Sequence, residues 1–320
     1  MAASDGRARA ASVFTAAAVW RFALLGAIWG CSFLFIKIVV EQVAPVWVVA
    51  GRVAIGLAFL CAVLAVRRRA LPRGARVWLH LFVLATIGNV IPWSLVAAAE
   101  QSIPSGLASV INSLTPAMTM ALAAGVGLER LGLVRVVGLG LALLGTTIVV
   151  SGELGTPGRV AAALACVAAT LLYAATGVYA KRFISGTAGA LELAAGQLVV
   201  ATIVAVPVAL VFEATPPWSA LTAGQWASWL ALGAFGTGLA FVLFYDLIDR
   251  VGATNAAMVT YVVPPIGLVA GWLVLNETVG WHVVFGAVAI VGGIWLGQRE
   301  RRADAAGDVD AEAEPEPVAV

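Results

Sequence analysis

Residues Thr115–Gly152, TPAMTMALAAGVGLERLGLVRVVGLGLALLGTTIVVSG, decide the fold. A proline opens an apolar run that ends at Glu129, and a turn then leads into a helix punctuated by glycines. The same plan returns at residues 263–298, VPPIGLVAGWLVLNETVGWHVVFGAVAIVGGIWLGQ. A constant shift of 148 residues joins Pro116 to Pro264, Glu129 to Glu277, Gly138 to Gly286, Gly145 to Gly293 and, upstream, Gly88 to Gly236. Self-similarity in a fixed register means that the chain holds two copies of one unit. Nearer the start of each half the shift is 144, which sets Lys37 opposite Lys181, the two lysines of the chain.

Composition fixes the solvent of those units. Of 320 residues 62% are hydrophobic and 11% charged, and the mean hydropathy is +0.99, which calls for lipid around the chain. About 20 apolar residues cross a bilayer core, and apolar runs fall near 22–40, 46–66, 77–97, 103–126, 132–150, 158–180, 190–212, 226–245, 251–274 and 280–297. The expected fold is therefore an all-α polytopic membrane protein of ten transmembrane helices, arranged as two five-helix repeats. An odd number of helices per copy sends the second copy in from the opposite face, so the repeats are inverted, a recurrent plan of secondary transporters.

The expected organisation is a disordered N-terminal tail at 1–19, a first repeat at 20–152, a second at 153–298 and a disordered acidic tail at 299–320. That last segment carries seven of the seventeen acids, and its Ala/Glu/Asp/Pro composition buries little. The run from Phe22 is too long for a signal-peptide core and reads as a retained first helix. Sixteen Arg and Lys residues fall in the loops and tails on one side, among them Arg67, Arg68, Arg69, Arg130, Arg182 and Arg250, against Arg159 alone on the other. The positive-inside rule then puts both termini in the cytoplasm of a multi-pass plasma-membrane protein.

The first helix reads Trp29-Gly30-Cys31-Ser32-Phe33 with Lys37, followed by Pro45 and Arg52, and the fourth carries Thr115-Pro116, Glu129, Gly138 and Gly145. Over residues 20–297 these features resemble the drug/metabolite transporter superfamily, in its two-repeat EamA domain branch. The thirteen-residue spacing from proline to glutamate occurs in both halves. The resemblance implies a ten-helix inner-membrane carrier of small metabolites, often an exporter.

Polar groups at membrane depth need a reason to be there. Arg52 lies about 10 Å into the second helix and reads either as a substrate or gating residue or as a side chain reaching for the interface. Asn89 and Thr237 are repeat equivalents, and with Trp29, Ser32, Trp93, Asn112, Thr115, Tyr173 and Tyr261 they form a candidate substrate pocket, each also able simply to knit helices together. Pro116 and Pro264 sit mid-helix by hydropathy and are candidate hinges or helix breaks near the site, with a static kink as the alternative. Glu129 and Glu277 close the fourth and ninth helices and are expected to receive amides at the start of the helix that follows, with a gate or ion role as the alternative. Lys37 and Lys181 lie where snorkelling is easy.

Three cysteines in apolar runs and two histidines leave no metal-ligand spacing, so no metal and no cofactor are expected. No HExxH or GxSxG occurs, which disfavours a membrane-embedded enzyme. The expected partners are a small-molecule substrate and the lipid bilayer, with no nucleic acid; GxxxG patterns such as Gly267–Gly271 serve packing within the chain or a homodimer. The function expected is alternating-access export of an amino acid or related metabolite. A passive channel or facilitator and a multidrug-type efflux carrier are the alternatives. The first helix holds no carboxylate, unlike the four-helix multidrug relatives, and the driving force stays open.

Overall fold

The computed structural model describes residues 16–128, 132–184, 187–251 and 256–312, which leaves Glu129 outside the described residues. Ten apolar helices follow one another there. Eight are long and apolar enough to cross a membrane: α1 (Ala16–Val40), α2 (Pro45–Val66), α3 (Ala75–Glu100), α4 (Ser105–Gly125), α5 (Leu133–Ser151), α6 (Pro157–Phe183), α7 (Ala190–Phe212) and α8 (Ala223–Leu247). Two are shorter, α9 (Val259–Leu275) and the apolar part, Trp281–Gly297, of α10 (Trp281–Glu312). Local chemistry sets several starts: Pro45 and Pro157 occupy the first helical turn, where a missing N–H costs nothing, and Thr222 with Gln225 forms a capping box ahead of α8.

Several boundaries depart from the hydropathy reading; α1 already starts at Ala16, inside the tail expected at 1–19. Helix continues from α8 to Val251, because Asp246 is paired with Arg21 at 2.8 Å and Arg250 at 2.9 Å and does not end the helix. Beyond Gln298, where a disordered tail is expected, α10 stays helical to Glu312. Ala, Arg and Glu, frequent in that stretch, are strong helix formers.

The packing carries the symmetry of the repeats. α1 packs on α8 and α9 as α6 packs on α3 and α4, while α2 meets α7 and α5 meets α10, each pair being the same element from the two copies. The last pair shows the inversion directly. A Cβ on Gly138 would stand 2.5 Å from the carbonyl of Gly293, and one on Gly145 would stand 2.7 Å from that of Gly286. As numbers rise along α5 they fall along α10, so two equivalent helices run antiparallel. The contacts are reciprocal, as a two-fold axis requires. α2 and α7 obey the same rule: Glu213 at the end of α7 accepts the amides of Val46 and Trp47 at 3.0 and 3.1 Å, and Arg69 past the end of α2 lies 3.5 Å from Glu192 at the start of α7.

Each repeat is broken twice near mid-membrane, at matching positions. α3 contains a π-helical turn at Thr86–Val90 and α8 one at Ala234–Leu239. Pro92 follows the first, but Ala240 takes the corresponding place after the second, so proline is not the shared cause. Both turns contain the paired glycines Gly88 and Gly236, which approach Thr176 of α6 and Ser32 of α1 closely. α4 stops at Asn112 and restarts at Thr115, and α9 passes from a 3-10 turn, Ala257–Tyr261, into α-helix at Val263. Pro116 and Pro264 are thus not interior prolines. Each lies in the first turn of a new α-helical segment, where the absent N–H breaks no bond.

Candidate functional site

The breaks surround a cavity of about 340 Å³ between the repeats. Eight of the ten expected pocket residues line it: Trp29, Ser32, Arg52, Asn89, Trp93, Asn112, Thr115 and Tyr173. The repeat relates the two walls. Asn112 and Thr115 at the break in α4 face Thr260 and Val263 of the second copy, and Trp93 and Val96 of α3 face Phe241 and Phe244 of α8. Thr237 stands behind this wall, fully buried. Tyr261 packs against the core beside Val263 and is not among the lining side chains. The 3-10 turn presents its neighbour Thr260 to the cavity in its place.

Arg52 is the one charged side chain among the described lining residues. It is 7% exposed, which excludes the interface-seeking alternative. Its Nε donates to Thr237 Oγ1 at 2.8 Å and its Nη2 to the carbonyl of Gly236 at 3.3 Å, both in the π turn of α8. The guanidinium carbon lies 3.9 Å from the Trp93 ring centroid, a cation–π contact. Those partners explain how a cation is held at this depth. They also tie α2 of the first repeat to α8 of the second.

Gln197 of α7 occupies the corresponding place across the cavity. It donates to Asn89 Oδ1 and to the carbonyl of Leu84 in α3. Each repeat thus sends one long polar side chain from its second helix to the π turn of the other's third helix. Sequence reasoning missed Gln197, although Ala50-Gly51-Arg52 and Ala195-Gly196-Gln197 read alike at a shift of 145. The pattern is symmetric in position and asymmetric in charge.

The two ends of the cavity differ. At the arginine-rich end Tyr245 lines both the cavity and a surface groove with Arg67, Arg69, Glu192 and Asp246. At the other end, side chains tie helix ends together. Lys37 does not snorkel: its ammonium donates to the carbonyls of Glu100 and Ile103 at the end of α3. Lys181, by contrast, is exposed. Asn276 ends α9 in the left-handed conformation at φ 54°, the usual means of turning a chain out of a helix. Glu277 follows and accepts Ser105 N at 2.7 Å, Ser105 Oγ at 3.0 Å and Gly106 N at 3.1 Å. It caps a helix start as expected, but the start of α4 in the other repeat, not that of α10. The turn at Asn276 aims it there.

Among the described residues, no group of three or more His, Cys, Asp or Glu is placed to hold a metal ion. The sequence signature of the EamA-like transporter family matches twice, at residues 17–151 and 160–297. The chain is 22% identical to the uncharacterized transporter YoaV of Bacillus subtilis, over 84% of this chain and 92% of that one. It is 25% identical to a probable amino-acid metabolite efflux pump of Salmonella typhimurium, over 87% and 95%, and 28% identical to the uncharacterized inner membrane transporter YedA of Escherichia coli K12, over 84% and 89%. A solved crystal structure superimposes with a TM-score of 0.65 at 21% identity, over 89% of this chain and 99% of that one, and so shares the fold. Two matched units, ten apolar helices in inverted halves and a mid-membrane cavity between them identify the chain as a member of the EamA-like transporter family.

Proposed function

We propose that this chain is a secondary transporter that exports an amino acid or a related small carboxylate by alternating access, from a bacterial plasma membrane in which both termini are cytoplasmic. The observation that carries the reading is Arg52, a single buried cation in a cavity walled by Trp29, Trp93, Tyr173, Phe241 and Phe244. An anion is its natural counterpart, and a guanidinium has five N–H donors, of which two are spent on α8. The aromatic walls suit an apolar or aromatic side chain. The description of the Salmonella relative as a probable amino-acid metabolite efflux pump supports the same substrate class.

In this reading the arginine-rich end, where the cavity nears the surface, is the cytoplasmic side by the positive-inside rule, and the carrier loads from there. Substrate leaves unchanged; transport is a change of access, driven by rocking of one repeat against the other. Glu277, which bonds its own repeat to α4 of the other, is a closing contact in this state.

Efflux of labelled amino acids from cells with and without the protein tests the proposal. Expression is expected to lower retention of the substrate and raise resistance to its toxic analogues. Arg52→Ala should abolish the effect and Asn89→Ala weaken it, at unchanged protein levels in the membrane. Undiminished efflux by both variants would remove the pocket assignment.

A further inference from the structure

Glu100 is fully buried, at 0% exposure, at the end of α3. Neither carboxyl oxygen has a hydrogen-bond partner. It is out of reach of any described ion pair, since the ammonium of Lys37 is spent on backbone carbonyls, including that of Glu100 itself. An ionised carboxylate is poorly tolerated in such a place, whereas its neutral form is tolerated far better. The position is not random along the helix. Asn89, Trp93, Val96 and Glu100 recur at helical spacing on one face, and the first three line the cavity. Pro104, four residues beyond Glu100, lines a second cavity of about 140 Å³ at the arginine-poor end, together with Glu277 and His282. Glu100 therefore lies in the short length of chain between the central cavity and the far side.

From this placement we propose that Glu100 is the proton-binding group that couples transport to a proton gradient: it takes a proton from the arginine-poor side and gives it to the arginine-rich side while substrate crosses the other way. The inference deepens the export reading above and rests on it. One proton is bound as a carboxylate becomes a carboxylic acid, and one is released when the opposite access returns it to water. The groups that act on it electrostatically are Lys37 from α1, Arg52 from α2, Cys166 and Tyr173 from α6, and Glu277 from the turn after α9.

The test uses the full-length protein in proteoliposomes with L-[3H]phenylalanine as probe and the membrane potential clamped. At one proton per substrate, a one-unit gradient with the acid side inside should concentrate the probe about tenfold in wild type. Glu100→Gln should keep exchange at equal pH and lose gradient-driven accumulation altogether, while Glu100→Asp keeps both. A Glu100→Gln variant that still concentrates the probe would overturn the proposal, as would a wild type that exchanges but ignores the gradient. If wild type does not exchange phenylalanine at all, the amino-acid reading fails, and infrared spectra of the purified protein decide Glu100 alone. A protonated-carboxyl band at neutral pH that disappears in Glu100→Gln and shifts in Glu100→Asp upholds it; identical bands in all three overturn it.

Discussion

A guanidinium at membrane depth must find acceptors inside the protein, and Arg52 finds them in a backbone that is already irregular. The π turn of α8 offers the carbonyl of Gly236 and the hydroxyl of Thr237 within 3.3 Å. Irregular helix at functional sites is a known habit, and here it supplies polar groups that a regular helix would keep for itself. Thr237→Val would leave Nε of a buried charge without its acceptor, so a loss of about 1–3 kcal/mol is expected, read as a lower melting temperature of the purified protein in detergent. An unchanged melting temperature would mean that the bond contributes nothing. Hydropathy and charge scarcity were enough to single out Arg52, Asn89 and Trp93 from the sequence. They could not reveal that Arg52 reaches across to the second repeat, because that depends on which helices become neighbours. Gln197 gives no signal because it is an uncharged amide in an apolar run, and Glu100 gives none because the apolar run near 77–97 stops short of it, whereas the helix runs on to Glu100.

At the scale of elements, breaks and seams divide the work. α4 and α9 change course at Asn112–Thr115 and around Val262, placing polar side chains on the cavity. The prolines mark these restarts in the sequence, but hydropathy fuses each pair of segments into one span and so misplaces them mid-helix. α5 and α10 form the tight seam, where glycine is required by closeness: a Cβ at Gly145 would lie 2.7 Å from one backbone oxygen and 2.8 Å from the amide nitrogen of Ile290. Backbone cannot step aside as a flexible side chain can. Gly145→Leu should therefore cost at least 1–3 kcal/mol, roughly the range for overpacking, and lower the yield of folded protein. Gly140, in the same helix, has open space where its Cβ would be, and Gly140→Ala should be neutral or gain about 0.5–1 kcal/mol from helix propensity. Size-exclusion profiles and melting curves of the two variants check the contrast.

Across the whole molecule, inversion was legible because it follows from counting: five helices per copy, one register shift, and charges gathered on one side. The close approach of Gly138 to Gly293 and of Gly145 to Gly286 gives the same symmetry a physical form. What counting could not give is asymmetry. The two walls of the cavity match in position, yet one carries Arg52 and the other Gln197, and one end is tied by Lys37 and Glu277 while the other nears the surface at Tyr245. A carrier working by alternating access needs two such states of similar energy, each closed where the other is open, and the proposed mechanism draws them from the two related halves. The direct measurement is counterflow: proteoliposomes loaded with unlabelled phenylalanine are diluted into a trace of the labelled amino acid. A carrier predicts a transient overshoot of label above equilibrium and a rate that saturates with concentration. Label that only drifts to equilibrium, at a rate proportional to concentration, would contradict alternating access and leave a pore.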